Sequence, residues 1–167
     1  MKTKAFFLST MMFVFLLICS TVIQAQTAKS NLNQVKLQQQ KLGTWESTAD
    51  KDTIWIREQQ EYGKAYTTNV YFIVKGTKSP FYISNSSYDS KDGKFKGFTL
   101  YANGKYMTWI GLWTTEKKFS IDVVQNFKPE TVLAKVEYVY ETPTSLIETR
   151  FSATGVKMLE RKYKKVK

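Results

Sequence analysis

From residue 43 onward, turn signals punctuate the chain roughly every 8 to 12 residues: ADKD, YGK, KGTKSP, SKDGK, ANGK, TTEKK, FKPE, ETPT and SATG. The runs between them are short and rich in Thr, Val, Ile, Tyr, Phe and Trp. Such spacing predicts an all-β sandwich or barrel of about ten strands, near residues 43–49, 53–61, 65–75, 81–88, 95–101, 105–113, 117–124, 131–141, 145–151 and 156–166. Only tight turns separate them, so successive strands should pair as antiparallel hairpins. Asn103-Gly104 suits the two positive-φ positions of a type I′ turn.

The alternation is cleanest in TVLAKVEYVYE. Val132, Ala134, Val136, Tyr138 and Tyr140 point one way, and Leu133, Lys135, Glu137, Val139 and Glu141 the other. One face is therefore buried and the other largely solvated. A run of sequential hairpins must protect its edge strands, and closing the sheet does so most completely. The expected architecture is a single antiparallel up-and-down β-barrel of about 8–10 strands.

The N-terminus reads differently. Lys2 and Lys4 precede the apolar run AFFLSTMMFVFLLIC, and a small residue, Ala25, follows. This is the layout of a secretory signal peptide, residues 1–25, cleaved before Gln26. The apolar run is shorter than the ~20 residues that span a bilayer. Cys19, the single cysteine, lies within it. Bacterial lipidation sites resemble Leu-x-(Gly/Ala)-Cys, and Ile18 occupies the position that should be small, so export is favoured over lipid anchoring. Residues 26–40, QTAKSNLNQVKLQQQ, read as a polar tether ending in a helical turn or two, with Leu32, Val35, Gln39 and Leu42 at helical spacing. The barrel domain is assigned to 41–167. Loss of Lys2 and Lys4 leaves 23 basic residues against 14 acidic ones, a net charge of about +9 that favours anionic ligands or surfaces such as envelope components.

Two motifs carry a resemblance. LGTWES, opening the first strand, resembles the start of lipocalins and fatty-acid-binding proteins, together called calycins, where Gly-x-Trp begins strand one and the Trp plugs the closed barrel end. GVKMLERKYKKV, residues 155–166, is similar to the final strand of fatty-acid-binding proteins, which carries Arg-x-Tyr. The resemblance implies a lipocalin-like barrel in which Gly43 and Trp45 form the floor. It also implies that Arg161 and Tyr163 lie inside, holding a ligand anion, or with Arg161 packed across Trp45. The chain departs from both groups: STADKDT leaves no room for a helical portal after strand one, and no C-terminal helix follows the last strand. In style it is closest to the small lipocalin-like proteins secreted by Bacteroidota.

The absence of histidine, with no cysteine after the signal segment, removes Ser-His and Cys-His nucleophiles, thiolate chemistry and His-based metal sites. No P-loop appears. Glu58 with Glu61, or Asp122 with Glu137, are conceivable carboxylate pairs, but nothing in their separation shows that they converge, and they read as solvated surface charges. No enzyme activity, metal or cofactor is expected. The chain is instead rich in aromatics, with four Trp, ten Tyr and eleven Phe. In MTWIGLWT, Trp109 and Trp113 share a face with Gly111 between them, a possible ligand slot. Trp55, Phe72, Tyr138 and Tyr140 are further candidate wall residues. In RKYKKVK, alternation puts Arg161, Tyr163 and Lys165 on one face and Lys162 and Lys164 on the other, which weakens any reading as a specific nucleic-acid footprint. The expected function is an exported carrier binding a small apolar or amphipathic molecule, anionic in one version. The alternative is a filled barrel whose basic surface or SNSSYDSKDGK loop binds a protein or anionic polymer.

Overall fold

The computed structural model describes residues 32–167; the segment 1–25 read as a signal peptide, with Cys19, and residues 26–31 of the expected tether lie outside them. Ten strands follow one another: β1 (Gly43–Asp50), β2 (Thr53–Tyr62), β3 (Ala65–Val74), β4 (Thr77–Asp89), β5 (Lys94–Tyr101), β6 (Tyr106–Thr115), β7 (Lys118–Gln125), β8 (Lys128–Thr142), β9 (Ser145–Ser152) and β10 (Lys157–Lys165). Each pairs antiparallel with its neighbours, and β10 returns to β1, giving a closed barrel. The expected class and strand count are correct. β4 and β8 begin earlier than the sequence pattern suggested, because their two-residue turns close with left-handed backbone at Lys75-Gly76 and Asn126-Phe127.

The turn expected to be type I′ is not. Gly104 N–H donates to Tyr101 C=O, and Tyr101 N–H to Lys105 C=O. Gly104 alone takes positive φ, at 82°. This is a type I turn over Ala102-Asn103 followed by a glycine bulge; the Asn103 side chain accepts from Lys105 N–H at 3.1 Å and so favours the three-residue loop.

One barrel end is closed by large apolar side chains. Trp45, Trp113, Phe95, Phe119 and Leu146 are fully buried there, with Tyr140 and Tyr163 against them. The Trp45 ring meets the edge of Tyr140 at 5.7 Å, and its indole N–H donates to Lys41 C=O at 3.0 Å. Gly43 has φ 108°, and a Cβ there would collide with the Lys167 carbonyl, whose oxygen accepts from Thr44 N–H at 2.7 Å. Its glycine is thus required by the seam that closes the barrel.

The stretch read as a tether packs under this floor from Leu32 onward. α1 (Gln34–Gln38) is capped by Asn33, whose side chain accepts from Lys36 N–H, and a 3₁₀ turn (Gln39–Lys41) follows. Leu32, Leu37 and Leu42 pack against the core, while Val35 is 43% exposed, and the most deeply buried side chains of this segment are polar: Gln34, Gln38 and Lys41. The reason is local. β5 pairing with β6 stops at Phe95 opposite Gly111, so Trp113, which pairs with Phe119 on the β7 side, has no strand partner on the β5 side. The Gln34 amide fills that place, donating to Trp113 C=O at 3.0 Å and accepting from Trp113 N–H at 2.7 Å. Gln38 accepts from the Trp113 indole N–H at 3.2 Å. An unpaired buried backbone group would cost about 1–3 kcal/mol, which is why a glutamine faces the Trp113 backbone.

Candidate functional site

Above the floor the barrel is hollow. The cavity holds about 480 Å³, within the size range of small-molecule sites. Its lining includes Leu133 and Met158 at the opposite end, 57% and 69% exposed, so it reaches solvent there.

Strand alternation and register divide the cavity into two kinds of wall. Gln59 pairs with Thr68, Thr68 with Ser84, and Ser84 with Thr99, forming a hydroxyl-rich row across β2 to β5. These groups are mostly satisfied among themselves: Ser84 accepts from Thr99 Oγ1 at 2.9 Å and from Trp109 Nε1 at 3.2 Å, and donates to Phe98 C=O. On β6 to β8, Trp109, Val123 and Ala134 pair in register, with Ile121 and Val136 in the row beside them. One wall is thus polar and the other apolar, an arrangement suited to a molecule with two unlike faces.

Charge is concentrated deeper. All three arginines of the chain, Arg57, Arg150 and Arg161, lie on the inward phase of their strands, with one carboxylate, Glu148, among them. Arg57 is 5% exposed. Its guanidinium lies over the Tyr138 ring at 4.3 Å and donates from Nη2 to Gln59 Oε1 at 3.3 Å. Its Nη1 is buried and has no hydrogen-bond acceptor among the described residues. Glu148, 1% exposed, accepts from Arg150 Nε at 2.5 Å. Burial opposes its ionisation, but the guanidiniums of Arg150 and Arg57 outweigh burial and hold the carboxyl below its ordinary range. Burial likewise pushes the Tyr138 phenol up to about 12, so it stays neutral. The interior therefore carries more positive than negative charge.

The residues expected as ligand contacts separate into two groups. Trp109 and Tyr138 line the cavity. Trp113, Tyr140 and Tyr163 lie outside its lining, buried with the floor cluster. The Trp109–Trp113 slot over Gly111 is closed, because Phe119 occupies it: a Cβ on Gly111 would stand 2.8 Å from that ring. The bare glycine that Trp109 covers is Gly97, across the β5–β6 pair. Trp55 and Phe72 pack on each other at 5.5 Å and on Phe81, not on the cavity.

Arg161 does face inward, but it does not pack across Trp45. Its guanidinium covers the Trp55 ring at 4.1 Å and donates to Tyr163 Oη at 3.3 Å. Lys165, not Arg161, is the cation over Trp45, at 5.4 Å; the register places Trp45 opposite Lys165 on one side and Arg57 on the other. The suggested carboxylates also have separate partners. Glu58 accepts from Tyr71 Oη at 2.7 Å, and Glu137 pairs with Lys118 at 2.7 Å. Among the described residues no cluster of acidic side chains suited to a metal forms.

Sequence reasoning passed over Arg57, Glu148, Arg150 and Lys41. A signal existed for three of them. In TIWIREQQ, Arg57 shares the phase of Trp55 and Gln59, and in SLIETRFS, Glu148 and Arg150 share the phase of Leu146. A charge on the apolar phase of a barrel strand must point inward. Neither a scan against protein-family models nor a search of curated proteins found a match to this chain.

Proposed function

We propose that the chain is an exported, non-enzymatic carrier or sensor of lipocalin-like type, taking a small amphipathic molecule with an anionic group into its barrel. The observation that carries this reading is the free Nη1 of buried Arg57 in a cavity of about 480 Å³. A buried guanidinium with an unused donor costs stability unless an acceptor arrives. A ligand carboxylate, sulfate or phosphate would supply it, with its apolar part against Ile121, Val123 and Val136. The anion-binding role thus moves from Arg161 and Tyr163 to Arg57 and Arg150. The style resembles the small lipocalin-like secreted proteins of Bacteroidota, and the signal-peptide pattern of residues 1–25 supports export. The alternative, a filled scaffold binding a protein or anionic polymer through its basic outside, is less favoured because the interior is hollow.

The test is titration with a dansylated undecanoate and with its uncharged methyl ester, followed by fluorescence. Both should saturate at one per chain. Arg57→Gln should weaken the acid by roughly tenfold to a hundredfold, the worth of one charge-assisted hydrogen bond, and the ester far less. If neither compound binds the native protein, the carrier reading fails. Equal weakening of both would remove the anion-recognition part.

A further inference from the structure

Lys41 has no place in the reading above. It ends the 3₁₀ turn, and the Trp45 indole N–H pins its carbonyl, fixing where the side chain starts. The residue is 3% exposed and lines the cavity from below. Its Nζ sits 3.8 Å from the centre of the Phe119 ring and 5.2 Å from that of Tyr138. Among the described residues Nζ makes neither an ion pair nor a hydrogen bond.

A buried lysine ordinarily brings a carboxylate with it. The one buried carboxylate nearby, Glu148, is instead engaged by Arg150. Burial, reinforced by repulsion from Arg57 and only partly opposed by Glu148, drives the Lys41 ammonium well below its ordinary range. Its place at the cavity floor is fixed by the turn, and burial favours the neutral, nucleophilic form of the amine there. An apolar residue would fill the same space without that cost. This is the chemistry of lysines that condense with carbonyl compounds.

We infer that Lys41 is a covalent capture site, binding aldehyde- or ketone-bearing apolar molecules as an imine at the floor of the barrel. The Nζ lone pair adds to the carbonyl carbon, giving a carbinolamine. The carbonyl oxygen then leaves as water with the two amine hydrogens, and a C=N bond remains. No oxidant or reductant is consumed, and hydrolysis reverses the capture. The apolar wall takes the hydrocarbon part, and Tyr138 stands beside the reacting nitrogen. The inference rests on the cavity admitting apolar ligands, as proposed above.

The experiment uses the barrel protein with decanal at one equivalent and neutral pH, then borohydride, which delivers hydride to the imine carbon and fixes the adduct. Intact mass gives the stoichiometry, and peptide mapping gives the site. A lysine amine in water is almost wholly protonated at this pH, and each unit of lowered pKa raises the neutral fraction tenfold. Labelling at residue 41 should therefore exceed that of any exposed lysine by at least about tenfold. Excess dansylated undecanoate should suppress it, and Lys41→Arg should abolish the dominant adduct. Wild-type mapping decides the question even if that variant folds poorly. Label scattered over exposed lysines with residue 41 unmodified, in protein that still binds the undecanoate, overturns the covalent site and leaves the carrier reading standing. If the undecanoate also fails to bind, both fall.

Discussion

At the scale of single residues, the interior charges set how stability should depend on pH. Glu148 has its carboxyl held below the ordinary range despite burial. The unfolded chain binds its proton first as pH falls, so this contribution is complete above about pH 4–5 and is lost as pH drops through the lower, native value. Urea unfolding between pH 5 and 3 should show falling stability, and Glu148→Gln should flatten that slope. At neutral pH the same variant should cost about 2–3 kcal/mol, less than a fully buried pair because the Arg150 side chain keeps 28% of its exposure. Lys41 acts with the opposite sign of charge. Its native value is depressed, so the unfolded chain holds the extra proton between that value and about pH 10. Stability should rise with pH across that window, and Lys41→Met should remove the rise. The buried tyrosines, whose phenols are pushed up by desolvation, reverse the trend at higher pH.

At the scale of elements, two features hold strands in place without being strands. The Gln34 amide substitutes for a missing strand residue beside Trp113. Gln34→Leu keeps the volume but leaves both Trp113 backbone groups unpaired, and should lower stability by about 2–4 kcal/mol in chemical denaturation. Faster hydrogen exchange at the Trp113 amide would locate the loss; unchanged exchange there would refute this role. The β5–β6 pair depends on Gly97, where a Cβ would meet the Trp109 ring and stand 2.7 Å from the Asn85 carbonyl oxygen. Gly97→Ala must displace an indole that lines the cavity, costing about 1–3 kcal/mol. It should also shift the undecanoate affinity, which calorimetry and titration would read together.

At the scale of the whole molecule, the barrel is one continuous sheet whose shortest seam joins β1 to β10. The register there runs only through Trp45–Lys165 and Glu46–Lys164, supplemented by Thr44 with Val166 and Lys167. Removing residues 164–167 should open this seam and expose β1 as an edge strand. The expected result is a lower thermal midpoint with fast exchange of β1 amides, while the β3–β4 and β7–β8 hairpins keep their protection. Uniform protection after truncation would show that closure does not depend on the seam.

The ten strands, their hairpin order and the closed architecture were legible in the chain itself, because turn spacing and period-two alternation are local properties. Trp45 as a floor residue, and Arg161 and Tyr163 as inward-facing, were implied by the resemblance of Gly-x-Trp and Arg-x-Tyr to calycin strands. Which inward residues face a hollow and which are sealed in a core could not be read, since that follows from register and shear around ten strands. Trp109 lines the cavity and Trp113, four residues along the same face, does not, because Phe119 and the glutamines of α1 fill the space around it. Arg57, Arg150, Glu148 and Lys41 come from four separate segments, and only closure of the sheet brings them into one interior. There, burial lowers the Lys41 ammonium's pKa and leaves an Arg57 guanidinium donor without an acceptor.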